Sequence, residues 1–396
     1  MTKSIDLIPT WFWPEGVPRH MSRPRATAYA NTVERWARRR PEAVAIDGAH
    51  PLTYAQLDER ARAASANLTR WIGEGTNSRV ALVAGTDPES TTVLLGAMHS
   101  GSDTLLIDEA TPWRRRAELV EGFRARLVVA SQRSGDSDVE TVTFAECLEP
   151  VEDDPGVPHG GEGRVAFQWD TSFALHPTAT LLGWALAFRA FAIIPPSQSF
   201  LTVHRLASWE GVTSLLASLC VGSTHLLPHD LRHTTPPRHR LRASGAWIMG
   251  DQADVLADHP QASRWFEGLE WIYLSVDTPL PARSRRRIAR QLGTPILTML
   301  GTPATGPVAA SPREWFIDEA VGIPFTGVDL IPLDERRQPA DPPWHLITAA
   351  RVGVQSSLLG EGFHVEGARQ GSILPNGVVD TELHGRMDAN GFLYLL

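Results

Sequence analysis

Apolar residues in the first part of the chain recur at two spacings, one typical of helices and the other of buried strands. Within residues 54–71, Leu57, Ala61 and Leu68 fall on one helical face, and Thr53 stands where a helix cap is expected. The pattern predicts helices at 31–40, 54–71, 88–100 and 112–123, and strands at 43–47, 52–54, 79–83, 104–107 and 126–130. Strands that alternate with helices favour a parallel sheet covered on both faces.

A stretch rich in Pro, Gly, Asp and Glu then interrupts this pattern at residues 149–163 and predicts an exposed linker. A second alternation follows, with strands predicted at 165–169, 199–203, 224–227, 246–248, 271–274 and 296–300. Beyond about residue 322 the segments become short and turns frequent, which predicts a small antiparallel β unit. We therefore expect an α/β fold of two stacked subdomains with largely parallel sheets plus that β unit. The expected division is 1–150 for the first subdomain, 151–163 for the linker, 164–320 for the second subdomain and 321–396 for the β unit.

Six fragments of the chain occur in the same order and spacing as in one known superfamily. They are 52–57 (similar to LTYxEL), 78–82 (DRVAL), 97–116 (GAxxxxIDxxxPxxR), 279–302 (xGxxL to YGxTE), 322–328 (GxPxxGxxv) and 385–393 (GxxDxDGyl). Over roughly residues 31–396 the chain thus resembles the large N-terminal domain of the acyl-CoA synthetase, adenylation-domain and luciferase superfamily. The resemblance implies the fold of that domain and descent from enzymes that use ATP to make acyl-adenylates.

The segment that would bind phosphate departs from the superfamily pattern. That pattern has a Gly/Ser/Thr-rich loop with a lysine, because small residues let backbone N–H groups approach the phosphates. Here Thr171 and Ser172 remain from the motif, Asp170 would repel a triphosphate, and bulky or rigid residues follow as far as Pro177. We expect this degenerate loop not to cradle phosphates.

Further departures affect the groups that would hold adenine, Mg²⁺ and ribose. Val276 stands in a turn that is glycine-rich in the superfamily, and its side chain would occupy space that adenine needs. Pro303 and Ala304 stand where the resemblance places a Mg²⁺-binding glutamate, and Leu383 replaces the ribose-binding aspartate of a TGD motif.

The superfamily also uses a lysine from a small C-terminal domain, which is expected after Leu396, to stabilise the transition state. In this chain lysine occurs only at Lys3. Removing one electrostatic stabiliser costs about a hundred- to a thousandfold in rate, so several losses leave little of the original reaction. The prediction for cofactors is therefore none, with ATP and Mg²⁺ not bound productively.

Three polar residues are the candidates for acid–base catalysis. His176, in the degenerate loop, would act as a general base near neutral pH, and Asp170 would orient it or cap the next helix. His204 follows the strand at 199–203, where superfamily members often place a residue that shapes the acyl pocket. The alternatives are a satisfied loop histidine at 176 and a pocket-wall residue at 204.

A larger set is expected to line the substrate pocket, which the resemblance places between the second subdomain and the β unit. Aromatic side chains at strand ends can line an apolar or aromatic pocket, although core packing is the alternative. The predicted pocket residues are Trp169, Ser172, Trp209, Trp247, Val276 and Gly301. Glu210 and His384 would also face the cleft. Ser172 lacks the GxSxG surroundings of a nucleophile elbow, which argues against a nucleophilic role.

Composition and charge exclude several classes of protein. A formal net charge of −8 argues against a nucleic-acid partner, and the absence of an apolar run of about 20 residues argues against a membrane span. The first residues lack a signal-peptide core, so the cytoplasm is the expected location. Cys147 and Cys220 are expected to be buried apolar side chains. One group of histidines matches no metal-ligand spacing and is predicted to lie in an exposed loop: His225, His229, His233 and His239.

Three functions remain open at this point. The first is an enzyme that acts without ATP on an activated acyl group, a thioester or a carrier-protein-bound acyl or aromatic substrate, in a specialised-metabolite pathway. The second is a non-catalytic scaffold that binds an acyl group, a carrier protein or a synthetase. The third is residual adenylation with a partner domain. The arginine-rich helix at 283–290 is expected to be a solvated face, or a docking face for an acidic carrier protein.

Overall fold

The fold is described from a computed structural model of the 396-residue chain. The structure describes residues 3–396 except 26, 49, 74–77, 134–138, 152–161, 228–242, 251–252, 254–257, 259–265, 315–316, 341–343 and 361. Residues 152–161 of the predicted linker and three of the clustered histidines, His229, His233 and His239, lie outside the described residues.

Helices and strands alternate through most of the chain, as the apolar pattern predicts. The helices are α1 Ser4–Leu7, α2 Thr27–Arg39, α3 Tyr54–Ile72, α4 Pro88–Ser100, α5 Trp113–Phe123, α6 Phe144–Cys147, α7 Thr178–Phe191, α8 Trp209–Leu219 and α9 Ala282–Leu292. The first strands are β1 Val44–Asp47, β2 Leu52–Thr53, β3 Arg79–Ala84, β4 Asp103–Asp108, β5 Leu127–Ala130, β6 Thr141–Thr143, β7 Arg164–Trp169, β8 Ser172–Pro177, β9 Ser199–Thr202 and β10 His225–Leu226. The remaining strands are β11 Ala243–Met249, β12 Trp271–Val276, β13 Ile296–Thr302, β14 Gly306–Ala310, β15 Ile323–Pro324, β16 Val328–Leu333, β17 Ala350–Ser356, β18 His364–Glu366, β19 Val379–Met387 and β20 Leu393–Leu395.

Local signals explain where the helices of the first sheet begin and end. Thr53 and Gln56 form a capping box at the start of α3, in which each side chain bonds the other residue's backbone N–H. Helix α4 is capped by Asp87 and ends at Gly101, whose φ of 74° is the left-handed conformation that glycine adopts at little cost. A β-carbon on Gly96 would lie 2.5 Å from Cβ of Ala64, so small residues let α4 pack closely on α3.

A seven-stranded sheet in the order β18-β8-β7-β4-β3-β5-β6 joins three parts of the chain. Strands β3 to β7 pair in parallel, whereas β8 and β18 add two antiparallel strands beside β7. The predicted boundary at residues 163/164 therefore does not separate two sheets, because β7 and β8 belong to the first sheet. Strand β10 likewise leaves the second sheet and pairs with β1 in a small sheet with β2.

The second sheet has the order β15-β14-β13-β12-β11-β9, and its strands β9, β11, β12 and β13 are parallel. Its core is aromatic: Phe188 of α7 stacks on Trp247 at 4.5 Å between ring centroids and contacts Tyr273 edge-on at 6.3 Å. Because these four strands run the same way, their carboxyl ends lie at the same end of the sheet, where loops can form a binding crevice.

The last part of the chain forms the predicted antiparallel unit, a four-stranded sheet in the order β16-β17-β19-β20. The amino-terminal segment, residues 3–25, packs against it. The hydroxyl of Ser4 accepts a hydrogen bond from Leu330 N and donates to Asp329, and the carbonyl of Arg19 accepts from Gly327 N at 2.8 Å. The fold is therefore α/β with two main sheets plus a small antiparallel β unit, as expected.

Candidate functional site

A cavity of about 450 Å³ lies at the carboxyl ends of β11, β12 and β13, the position that the parallel strands predict. The described residues that line it come from helix α8, the ends of these three strands and the turn after β12. They are Glu210, Met249, Gly250, Ser275, Val276, Asp277, Thr278, Pro279, Leu280 and Gly301. Two carboxylates and no cation are present among these residues.

Glu210 stands in the first turn of α8, whose amino terminus is capped by Ser208 accepting a 3.1 Å hydrogen bond from Gly211 N. Burial raises the pKa of Glu210 to about 7, and the negative charge of Asp277 acts in the same direction. Hydrogen bonds from Ser208 and Ser275 lower the pKa and offset part of this effect. The Glu210 carboxyl group thus changes its protonation state near neutral pH.

Ser275, near the end of β12, connects the cavity to buried groups behind it. Its hydroxyl oxygen accepts a 2.9 Å hydrogen bond from Trp247 Nε1 and lies 3.3 Å from His204 Nε2. Ser275 and Glu210 both line the cavity, and Ser275 lowers the pKa of the Glu210 carboxyl group, so one hydroxyl at the cavity wall adjoins an indole, an imidazole and a carboxyl group.

His204 follows β9 and is 2% exposed. Burial lowers its pKa to about 3, although a hydrogen bond to the backbone carbonyl of Ile248 acts in the opposite direction. Its ring lies edge-on to Trp247 with 5.2 Å between centroids. His204 is therefore a neutral imidazole behind the cavity wall, and it reaches the cavity only through Ser275.

The segment expected to be a degenerate phosphate loop is instead a tight β-hairpin. Strands β7 and β8 pair over six residues each, from Arg164 opposite Pro177 to Trp169 opposite Ser172. Only Asp170 and Thr171 form the turn, and Asp170 has a φ of 58°. The expectation of a loop over 170–177 is wrong, because alternate side chains of β8 pack on opposite faces and hold it in the sheet.

His176 consequently lies in a strand and is buried, which corrects its predicted placement in the degenerate loop. Its ring stacks on Phe363 at 4.8 Å and contacts Trp184 at 4.6 Å, while Nε2 donates to the carbonyl of Pro303 at 2.7 Å. Burial lowers its pKa to about 3. His176 lies four positions beyond Ser172 along β8, which is about 13 Å of strand. The hairpin therefore does not bring Asp170, at the turn, next to His176.

The other polar residues of the hairpin bind Arg369, which follows β18. Arg369 N donates to Ser172 Oγ at 2.9 Å, and its guanidinium covers the ring of Trp169 at 4.7 Å from the ring centre. The same guanidinium pairs with Glu382 and approaches Asp170 at 3.9 Å. Ser172 is completely buried, so Trp169, Asp170 and Ser172 form a structural contact rather than part of the cavity wall.

The remaining predicted pocket residues lie at or next to the cavity. Val276 and Gly301 line it. Trp209 packs on Gly301, since a β-carbon there would lie 2.3 Å from the Trp209 ring, and Trp247 is buried behind Ser275.

Apolar side chains stand at the positions that align with the Mg²⁺ and ribose ligands of the superfamily, and the residue before one of them has a backbone conformation that favours glycine. Ala304 is completely buried in a small apolar cluster with Trp169. Leu383 packs against the main core. Glu382 has a φ of 63°, a left-handed conformation that favours glycine, which is the residue that a TGD motif has at this position.

Sequence reasoning missed Ser275 and Asp277, the residues on either side of Val276. The available signal was their position at the end of a predicted strand of a parallel sheet, where polar residues converge. Glu210 was expected at the cleft, and it lines the cavity; His384 is exposed on β19.

Other classes of site find no support in the described residues. No group of three or more His, Cys, Asp or Glu in the described part of the chain is placed to hold a metal ion. His225 is buried in β10 rather than in the predicted exposed loop. Both cysteines are buried and free, as expected. None of the described helices is long and apolar enough to cross a membrane.

Parts of this chain are similar in sequence to known proteins. Residues 33–168 match the family model described as AMP-binding enzyme. An isonitrile lipopeptide synthase from Streptomyces coeruleorubidus is 29% identical over 207 residues, which are 48% of this chain and 14% of that protein. The chain thus spans only a small part of this relative's length.

Solved structures agree over nearly the whole chain. VinN superposes with a TM-score of 0.75 at 16% identity, covering 93% of this chain and 98% of that one. ATP-bound MatB from Rhodopseudomonas palustris gives a TM-score of 0.78 at 17% identity, covering 93% of this chain and 78% of that one. This chain therefore has the fold of these solved structures, the fold that the resemblance to the adenylate-forming superfamily implies, and residues 33–168 are similar to AMP-binding enzymes.

Proposed function

We propose that this protein binds the acyl group of an already activated intermediate, a thioester or a carrier-protein-bound acyl group, and transforms it by acid–base or acyl-transfer chemistry without ATP. The setting is a biosynthetic pathway for a specialised metabolite, as the name of the Streptomyces relative indicates for that protein. The substrate is a small acyl or aromatic group. It arrives either bound to a carrier protein or as a free thioester.

The observation that carries this proposal is a contrast between two places in the fold. The strand pair that would flank a phosphate loop is closed by two residues, and its backbone groups are committed to the β7–β8 ladder. The cavity at the ends of β11 to β13 has kept about 450 Å³ of space and polar groups that face it. The cavity thus supports acyl binding, whereas the hairpin does not support triphosphate binding.

We also propose that no adenylate is formed, and residues of the cavity and of the hairpin region support this. Asp277 and Glu210 bring negative charge to the cavity wall, which opposes a triphosphate. The superfamily's carboxylate ligands for Mg²⁺ and ribose align with Ala304 and Leu383, which cannot coordinate either group. We therefore propose that no ATP and no Mg²⁺ take part.

Calorimetry and mass spectrometry test the proposal together. Titration with ATP–Mg²⁺ and with AMP should give no heat up to millimolar ligand, and micromolar binding of either would overturn the proposal in favour of residual adenylation. Incubation with a panel of N-acetylcysteamine thioesters carrying short aliphatic, long aliphatic and aromatic acyl groups should release free thiol and change the mass of one of them. Saturable binding with unchanged thioester would instead establish the scaffold.

A further inference from the structure

We propose that Ser275 is a nucleophile that accepts the acyl group covalently, that the Glu210 carboxylate is its general base, and that His204 and Trp247 position the Ser275 hydroxyl. The inference rests on the proposed function, because the acyl donor is the thioester bound in the cavity. It adds a covalent intermediate and assigns roles to residues that the superfamily pattern does not use for catalysis.

The hydrogen bonds around Ser275 determine where its proton can go. An indole N–H can only donate, so the 2.9 Å contact with Trp247 makes the Ser275 oxygen an acceptor there. The single hydroxyl proton must then point to one of the two remaining partners, His204 Nε2 at 3.3 Å or Glu210. Both are proton acceptors, as an activated serine requires.

Glu210 is the better base of the two. A general base works best when its pKa lies near the working pH, and the pKa of Glu210 is about 7 whereas that of His204 is about 3. Glu210 also lines the cavity with Ser275, so it can pass a proton on to a bound substrate. His204 stays neutral and, with its proton on the nitrogen that faces Ile248, offers Nε2 as the acceptor of the Ser275 proton in the resting state; the hydroxyl turns its proton to Glu210 when it attacks.

The charged and titratable groups around Glu210 are few. Asp277 faces it from the turn after β12 and favours its protonated form. Ser208 lies on its own helix cap, His204 adjoins it through Ser275, and the nearby Arg205 is paired with Asp108 at 2.8 Å. No described cation therefore acts on Glu210 strongly enough to remove its titration from the neutral range.

The reaction balances without a further reactant. Ser275 Oγ attacks the thioester carbonyl carbon while its proton moves to the Glu210 carboxylate. The tetrahedral intermediate collapses, the carbon–sulfur bond breaks, and the neutral Glu210 carboxyl gives the proton to the departing sulfur. The products are an ester on Ser275, a free thiol and a regenerated carboxylate, and the ester then passes its acyl group to water or to another nucleophile.

An alkyl fluorophosphonate tests the nucleophile without knowledge of the acyl group, because it forms a stable phosphonyl ester with activated serines and releases fluoride. Peptide mapping by mass spectrometry should find the label on Ser275. Its rate should rise about tenfold per pH unit below the pKa of Glu210, about 7, and level off above it. Labelling of Ser275 no faster than that of the exposed Ser357 in the same sample would overturn the proposal.

Variants separate the roles. Glu210→Gln should slow labelling at least a hundredfold, whereas the exposed Glu335→Gln should leave the rate unchanged. Trp247→Phe and His204→Asn should slow labelling about tenfold without moving the pH midpoint, which is the sign of a positioning residue. An equal rate in Glu210→Gln would overturn the role of Glu210. If that variant does not fold, the wild-type pH profile decides, because a flat rate between pH 6 and 8 contradicts a carboxylate base.

The outcome is distinguishable from failure of the proposed function. Turnover of thioesters that persists in Ser275→Ala, with no label on Ser275 in the wild type, would reject the covalent intermediate and leave acyl-thioester chemistry intact. Rapid labelling of Ser275 with no thioester binding would reject the substrate class and leave the activated serine in place.

Discussion

The β7–β8 hairpin and the cavity each contain a serine, a histidine and a carboxylate, but these side chains lie apart in the hairpin and together at the cavity. In the β7–β8 hairpin, Ser172 bonds the backbone of Arg369, His176 bonds the carbonyl of Pro303, and the side chain of Asp170 is 65% exposed at the turn. At the cavity, Ser275, His204 and Glu210 lie around a single hydroxyl group, that of Ser275. Residue types therefore do not identify a site until it is known that the side chains converge.

The comparison also shows how differently the two regions use burial. Both histidines have a pKa lowered to about 3 by burial, so a depressed histidine pKa alone does not separate a core residue from a site residue. The difference lies in what the imidazole contacts. His176 contacts aromatic rings and a backbone carbonyl, whereas His204 contacts the hydroxyl of Ser275, which lines the cavity.

Replacing His176 by alanine should have the largest effect on stability. The change removes a buried ring packed between Phe363 and Trp184 and should lower the free energy of unfolding by about 3 kcal/mol. Urea unfolding measures the loss. His176→Phe, which keeps the ring, should lose less than half as much and retain thioester turnover. A variant that stays stable but loses turnover would return His176 to the list of catalytic residues.

Glu210 should give the protein a stability that falls as the pH rises. Its folded pKa of about 7 lies above the ordinary value of 4.5, so the folded state binds more protons than the unfolded state between these values. The stabilisation is complete below pH about 4.5 and is lost as the pH rises through 7, by up to about 3 kcal/mol. Denaturant unfolding at pH 5 and pH 8 should show this fall, and Glu210→Gln should remove most of it. An unchanged pH dependence in the variant would mean that Glu210 is not buried as described.

Gly301→Ala should disturb the contact between the cavity and the tryptophan behind it. The added β-carbon would lie 2.3 Å from the Trp209 ring and 2.6 Å from the carbonyl of Gly306. Overpacking of this kind costs about 1–3 kcal/mol, and because Trp209 precedes Glu210, labelling of Ser275 should also slow. Thermal unfolding and the fluorophosphonate rate measure the two effects. Full stability in the variant would show that the ring can move away freely.

Asp170→Asn should have the smallest effect. The side chain is exposed, and its 3.9 Å approach to Arg369 is a weak surface pair, so stability should change by less than about 0.5 kcal/mol. Thioester turnover should be unchanged. A tenfold loss of turnover would mean that the hairpin turn, rather than the cavity, contacts the substrate.

The sequence was sufficient to predict most of the fold. Helix α4 begins and ends at the predicted residues because Asp87, Pro88 and Gly101 supply unambiguous terminal signals. The resemblance to the adenylate-forming superfamily, based on six ordered fragments, correctly predicted the architecture. The membership of β7 in the first sheet was missed, since strand alternation along a chain does not specify which sheet a strand joins.

The site was predicted less well, for a physical reason that β8 makes clear. Alignment to a phosphate-loop motif favoured a loop over 170–177, although Phe173 and Leu175 alternate as strand residues do. The sequence does not predict Ser275, because the superfamily motif at this turn specifies small residues for adenine and assigns no role to a serine. Convergence of α8, β9 and β12 on one hydroxyl depends on pairings between distant segments, which local patterns do not encode.

The docking of the amino-terminal segment has a consequence for how the protein is made. Ser4 binds Asp329 across a separation of 325 residues, so its partner is synthesised long after it. At about 5–20 residues per second, the interval is roughly 15 to 65 s. During that time Ile5 and Ile8, which are buried in the finished core, lack late-synthesised neighbours such as Gly391 beside Ile8, and the nascent chain exposes an apolar segment that chaperones can bind.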